Sequence, residues 1–256
     1  MRNLPVACVF ASLLAVVPSC AVVGATGELG FTQMSVGGDI ALASATGGVP
    51  PSAGQDIGSG FGLGDNQGSL YARGQLDLGT LVFTASAFQF SERGQGVLNA
   101  TFGGLAAETP VATELDFANG KISGVFDFDI GPVVVSPGLA LDIFDFRFQA
   151  TETTFGNSER IDEFMPVPML FLRAAADAGV VAAVVEVGYL QTPEIDRAEV
   201  MLLDLEAMVE LRLAPGFQLF GGYRSIDIDG RGETDADSFE IDLSVHGWMI
   251  GGGVRF

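Results

Sequence analysis

The stretch VMLLDLEAMVELRL, residues 200–213, can satisfy its own pattern in only one regular conformation. Leu203, Leu205, Ala207, Val209, Leu211 and Leu213 are apolar and odd-numbered, while Asp204, Glu206, Glu210 and Arg212 are charged and even-numbered. On a helix advancing about 100° per residue the four charges would scatter around most of the wheel. A strand sorts them onto one face in a single step, because successive side chains point to opposite sides. Leu, Met, Ala and Glu favour a helix by propensity alone, and here the periodicity overrides that preference.

The alternation recurs along the chain. LYARGQLDL sets Leu70, Ala72, Leu76 and Leu78 against Tyr71, Arg73, Gln75 and Asp77, and VFDFDI sets Phe126, Phe128 and Ile130 against Asp127 and Asp129. Val181, Ala183, Val185, Val187 and Tyr189 oppose Glu186 and Gly188. In a soluble sandwich the polar face of such strands is outside; in a membrane barrel apolar residues face lipid and charges fill the lumen. A formal charge of -20 beside 48% hydrophobic residues requires the acidic and apolar parts to be kept apart in space. Twelve basic residues against 32 acidic ones argue against nucleic acid as a partner.

The most apolar stretch, MLFLRAAADAGVVAAVVEVGYL, carries Arg173, Asp177 and Glu186, each costly at a bilayer centre. It divides better into two strands, 164–176 and 180–190, around the tight turn DAG.

Connections decide between the two architectures. LGT near Gly79, Gly131-Pro132, DAG near Gly179 and APG near Pro215 are short. Between them lie longer polar links over about 43–68, 91–111, 151–163, 191–198 and 229–237. This regular exchange of short and long is the organisation of an outer-membrane barrel with tight periplasmic turns and long outer loops. The expected fold is all-β, a transmembrane antiparallel up-and-down barrel of ten strands, with eight as the alternative. Asn119-Gly120 reads as a hairpin belonging to the second outer loop.

The first residues read as an export signal: a short basic start, an apolar run from Leu4 to Val17, then Pro18 before Ser19, Cys20 and Ala21. The expected division is a signal peptide over 1–21 and an outer-membrane barrel over 22–256, in the envelope of a Gram-negative bacterium. In the alternative, VPSC is a lipidation site at Cys20. Both cysteines, Cys8 and Cys20, fall in this segment, which leaves no thiol in the mature chain for a disulfide, metal or nucleophile.

The terminal WMIGGGVRF resembles the last strand of small bacterial outer-membrane β-barrels of the OmpA and OmpW-like kind, and VSPGLALDIFDF resembles an upward strand following a periplasmic turn in such barrels. The resemblance implies that Trp248, Ile250, Val254 and Phe256 form an assembly signal read by the barrel-assembly machinery, with outer-membrane lipid as the other partner. The chain departs from that kind in using Phe (20) where aromatic girdles use Tyr (3) and Trp (1). Pro137, Pro166 and Pro168 withhold ladder donors, so bulges are expected there.

Motifs for chemistry are sparse. DLSVH places Asp242, Ser244 and His246 on one strand face, where a serine and histidine can meet. His246 is the single histidine, no oxyanion donor accompanies it, and the Asp-His dipeptide wanted by an omptin-like protease does not occur. DIDGRGETDAD offers Asp227, Asp229, Glu233, Asp235 and Asp237 to calcium but misses the EF-hand spacing. GSGFGLG lacks the lysine and helix of a phosphate cradle and reads as a flexible loop. No catalytic residue, metal site or cofactor is expected.

The expected function is therefore a non-enzymatic barrel, structural or a narrow cation-preferring, porin-like pore. Its lumen is lined by Arg73, Asp77, Asp127, Asp129, Asp142, Arg173, Glu186, Asp204, Glu206, Glu210, Arg212, Arg224 and Arg255. The alternatives are a surface adhesin or ligand-binding barrel acting through acidic outer loops, and a barrel hydrolase.

Overall fold

The computed structural model describes residues 24–44, 54–192, 199–233 and 237–256, which form an antiparallel sheet closed on itself. In chain order the strands are β1 (Gly24–Ser44), β2 (Gln55–Asp56), β3 (Gln67–Asp77), β4 (Leu81–Val97), β5 (Pro110–Phe126) and β6 (Phe128–Ile130). They continue with β7 (Val133–Glu152), β8 (Ser158–Asp177), β9 (Val181–Gln191), β10 (Glu199–Ala214), β11 (Phe217–Glu233) and β12 (Asp237–Arg255). Among the described residues one short helix, α1 (Ile57–Phe61), follows β2. Ten long strands make the wall, each beside its neighbour in sequence, and β12 closes on β1 in continuous register from Thr26↔Arg255 to Ser44↔Asp237. β2 adds to β1 at Asp39 and Ile40, and β6 pairs with β7 alone.

Two of the four short turns share one local device. Asp77 accepts the N–H of Gly79 at 2.8 Å and Asp177 that of Gly179 at 2.7 Å, each an aspartate closing a turn on its own backbone. The two glycines sit at φ 92° and 84°, a region L side chains rarely adopt.

Two expectations are corrected. Asn119-Gly120 makes no hairpin: both residues lie mid-strand in β5, with Asn119 opposite Phe88 on β4 and Phe144 on β7. The flanking alternation, from Val111 to Val125, is buried on every second residue, and that outweighs a two-residue turn signal. The prolines produce no bulge either: β7 and β8 stay in register from Val133↔Ala176 to Thr151↔Ser158, through Pro137, Pro166 and Pro168. Pro166 and Pro168 lie past Leu170, the last β8 residue paired with β9, so one of their flanks carries no ladder to interrupt.

The strands also run further than the polarity of the links suggested, because the two faces exchange character part-way up. Near the short turns the outer wall is apolar, with Leu203, Leu205, Val209, Leu211, Leu219, Ile250 and Trp248 exposed. From Leu213 to Leu203 this belt spans about 33 Å along the strand, or about 25 Å of height at the usual tilt, the thickness of an outer-membrane barrel's apolar band. Above it the sense reverses. On β7, Phe144, Phe146 and Phe148 are buried while Asp145 and Arg147 face out; on β5, Leu115 and Phe117 are buried while Glu114 and Asp116 face out. The upper wall is thus built like a soluble barrel, apolar inside and polar outside.

Candidate functional site

Inside the belt the lumen is occupied by a network of buried charges. Arg73, projecting from β3, lies 2.7 Å from Glu186, 3.4 Å from Glu28 and 3.6 Å from Glu210. Lys121, from β5, is 2.9 Å from Asp204, 3.4 Å from Glu186 and 3.5 Å from Glu206. Arg224, from β11, donates to both oxygens of Asp204 and stands 3.8 Å from Asp142. Tyr71 donates its hydroxyl to Glu206 at 2.9 Å, Gln218 its amide to Glu28 at 2.7 Å, and Asn119 its amide to Asp142 at 3.3 Å. In low dielectric each cation would be prohibitive alone and is tolerable only with such partners.

Above this layer the lumen is filled by rings. Phe88, Phe90 and Phe144 each pack against Phe117, with centroids 5.4 to 6.1 Å away. Phe61, Phe102 and Phe148 meet edge to face at 4.7 to 5.7 Å. Phe61 comes from α1, so the GSGFGLG segment is no free loop but a cap folded into the end of the barrel opposite the short turns. Asp56 caps α1 by accepting the Ser59 N–H, and that bond holds its carboxyl below the ordinary aspartate range. The buried Gln55 accepts the N–H groups of Asn99 and Ala100, and Glu92 accepts those of Gly64 and Asp65.

Of the residues expected to line the lumen, Arg73, Asp142, Arg173, Glu186, Asp204, Glu206 and Arg224 are buried inside the barrel, and Glu210 is nearly so. Asp77 and Asp127 are half-buried at the turn end, where Asp127 accepts the Ser136 hydroxyl at 2.6 Å. Arg212 sits at the rim against Asp177, and Arg255 is exposed there. Asp129 stands outside the lumen: β6 continues past the wall, and all three of its residues are exposed. Lys121, Glu28, Asn119 and Gln218 belong to the network without having been anticipated. Lys121 was hidden by the turn reading of Asn119-Gly120, although Lys121, Ser123 and Val125 continue the inward alternation.

Trp248, Ile250 and Val254 lie on the outward face of β12, and the exposed Phe256 follows its last residue; Trp248 is edge-on to Tyr223 at 5.0 Å. His246 lies between two serines, 3.3 Å from Ser35 and 3.4 Å from Ser244, on the outer wall just above the belt. Asp242 is exposed opposite Asp39 and Asp229 and makes no hydrogen bond to His246, so the residues of DLSVH form no triad. Asp227 and Asp229 are exposed on the outer wall of β11, while Asp235 and the signal segment lie outside the described residues.

A closed ten-strand antiparallel barrel with an apolar belt, short turns at one rim and longer links at the other is the fold of bacterial outer-membrane β-barrels. No protein-family model matches the chain, and no curated protein matches it. Among solved structures it is similar to the outer-membrane protease OmpT from Escherichia coli. The TM-score is 0.58 and the identity 8%, over 94% of this chain and 98% of that one. It is also similar to Ail, the attachment invasion locus protein of Yersinia pestis, with TM-score 0.39 and 12% identity over 91% and 98%. At such identity the likeness is one of fold, and it singles out no subfamily.

Proposed function

We propose that the chain is a non-enzymatic barrel of the bacterial outer membrane, closed to solutes, that works through its polar upper wall and outer links. One observation carries this reading: the lumen is filled twice over. Arg224, Asp204 and Asp142 are wholly buried in the ionic layer, and Phe61, Phe102 and Phe144 wholly buried in the aromatic layer above it. A barrel of about ten strands has an interior just wide enough for side chains to fill, and here salt-bridged and aromatic side chains fill it. The upper wall remains as the working surface, with Asp39, Asp242 and Asp229 in one register row across β1, β12 and β11.

The decisive experiment is planar-bilayer recording of the refolded protein. Silence across the accessible voltage range, with insertion shown by heat-modifiable migration, is the expected result. Discrete cation-selective steps would replace this reading with a narrow pore.

A further inference from the structure

At the short-turn rim, Arg212, Leu213, Pro215, Gly216, Phe217, Gln218 and Arg255 enclose a cleft of about 330 Å³. Its two sides differ in chemistry. Arg212, Gln218 and Arg255 occupy the inward positions of β10, β11 and β12, whereas Leu213 and Phe217 are outward and 61% and 63% exposed. The cleft therefore straddles the foot of the apolar belt, basic within and apolar at its lip. The β10–β11 register shifts between Arg212 and Ala214, the kind of irregularity that re-aims a side chain.

The charge balance here is unlike that elsewhere in the molecule. Each basic residue described in the structure except Arg255 holds a carboxylate within 4.0 Å. Arg255 makes no ion pair or side-chain hydrogen bond among the described residues, although the chain has 32 acidic residues against 12 basic ones. Beside it, Arg212 spends Nη1 on Asp177 (2.6 Å) and on the Gly179 carbonyl (3.2 Å), while its buried Nε has no partner. Asp177 touches Arg212 alone and reaches Arg255 only at longer range, so one carboxylate serves two guanidinium groups. A planar guanidinium with free N–H groups is built to take two oxygens of one anion.

We propose that this cleft holds the phosphate of an anionic phospholipid from the leaflet at the short-turn rim, with Arg255 and Arg212 as its ligands and Leu213 and Phe217 against its acyl chains. The inference rests on the barrel spanning a membrane. The phosphate chemistry alone would equally suit free phosphate; the apolar lip, continuous with the belt, favours the lipid.

The test uses the refolded full-length protein in nanodiscs of equal phosphatidylglycerol and phosphatidylcholine, extracted into mild detergent and weighed intact. Phosphatidylglycerol should be retained in preference, and Arg255→Gln should cut that retention about tenfold, the weight of one charge-assisted hydrogen bond. Heat-modifiable migration of the variant should be unchanged, because Arg255 has no close ion pair or side-chain hydrogen bond to lose and its exposed, longer-range attraction to Asp177 is screened by solvent. Retention equal for both lipids, or unaffected by Arg255→Gln, overturns the proposal. Displacement of the lipid by inorganic phosphate at matching concentration overturns the lipid as the source. Failure of the protein to insert at all would remove the membrane reading and this one with it, whereas insertion without selectivity removes this one alone.

Discussion

Arg224 and Asp204 meet inside the barrel through two parallel hydrogen bonds, Nε to Oδ1 at 2.8 Å and Nη2 to Oδ2 at 3.0 Å, with both side chains fully excluded from solvent. Lys121 reaches the same carboxylate at 2.9 Å, so Asp204 is the shared anion of two buried cations. Asp204→Ala takes from both their nearest carboxylate, leaving Lys121 with Glu186 and Glu206 and Arg224 with Glu206 and Asp142 at 3.4 to 3.8 Å, and should destabilise the barrel by up to about 3 to 5 kcal/mol, the cost of an uncompensated buried charge. Adding Arg224→Met should cost far less than the sum of the two single changes. Urea midpoints of the single and double variants in detergent check this, and strict additivity would show that the pair is not coupled.

Adjacent residues of β10 should respond in opposite ways. Leu205 faces out at 37% exposure within the apolar belt, while Glu206 is 1% exposed in the lumen. Leu205→Arg should cost about 2 to 4 kcal/mol at the membrane midplane and impair insertion. With cysteine at each position, a lipid-soluble maleimide should label 205, and position 206 should resist both lipid-soluble and water-soluble reagents because the lumen is filled. Ready labelling of 206 from water would contradict the closed lumen.

The outer wall above the belt carries a strain that can be relieved. Asp242 lies directly opposite Asp39 on one side and Asp229 on the other, all three exposed. Like charges directly opposite across strands are unfavourable by some tenths of a kcal/mol each. Asp242→Asn should therefore raise the unfolding midpoint slightly at low salt, and the gain should fade as salt screens the row. A loss of stability at low salt would mean that the row is held by something other than the wall itself.

How much of this was legible in the sequence depends on which half of the wall is considered. In the belt the alternation of Leu203 to Leu213 against Asp204 to Arg212 reports directly on lipid and lumen, and there the strands and their inward charges could be read. Above the belt FDFRFQ, residues 144–149, alternates just as cleanly, but its apolar residues point inward. A reading that assumes one polarity throughout turns such strands inside out, and it gives the upper ends of β4 (91–97) and β8 (158–163) to polar links. Lys121 was lost for a related reason, since Asn119-Gly120 is a strong local turn signal that only the long-range pairing with β4 and β7 overrules. The ionic partners themselves, such as Arg73 with Glu186, 113 positions apart, follow from barrel closure and have no local trace.

The cap at the end opposite the short turns should loosen in acid. Asp56 accepts the Ser59 N–H, and this lowers its carboxyl below the ordinary value of 3.8. A depressed folded value means that the contribution is fully present above the ordinary value and is lost as pH falls through the folded one. Asp56 is exposed, so solvent screening keeps the effect small. Hydrogen exchange of the α1 amides, once corrected for intrinsic rates, should accelerate below about pH 4 and stay level from pH 5 to 8. Asp56→Asn, which retains an N-cap acceptor, should abolish the pH dependence while keeping most of the protection. Persistence of the acid response in Asp56→Asn would place its origin elsewhere.

The two layers that close the lumen can be separated experimentally through Phe61. This ring is wholly buried, contacts Phe102 and Phe148 edge to face, and is carried by a helix of only five residues. Phe61→Ala should remove about 3 to 5 kcal/mol of packing, more than so short a helix can restore through its own hydrogen bonds. The expected consequence is local: α1 and the segment pinned by Gln55 and Glu92 should open, seen as fast exchange at Gly64 and Asp65 and as new proteolytic cuts near residue 60. Ten-strand closure does not depend on α1, so the urea midpoint of the barrel should barely move. Conductance should remain absent, because the ionic layer around Arg73, Lys121 and Arg224 still fills the bore beneath. Pairing Phe61→Ala with Lys121→Ala removes a side chain from each layer, and this double variant is the one expected to pass ions. Should Phe61→Ala conduct by itself, the aromatic cap would be the sole seal and the buried charges would line an existing path.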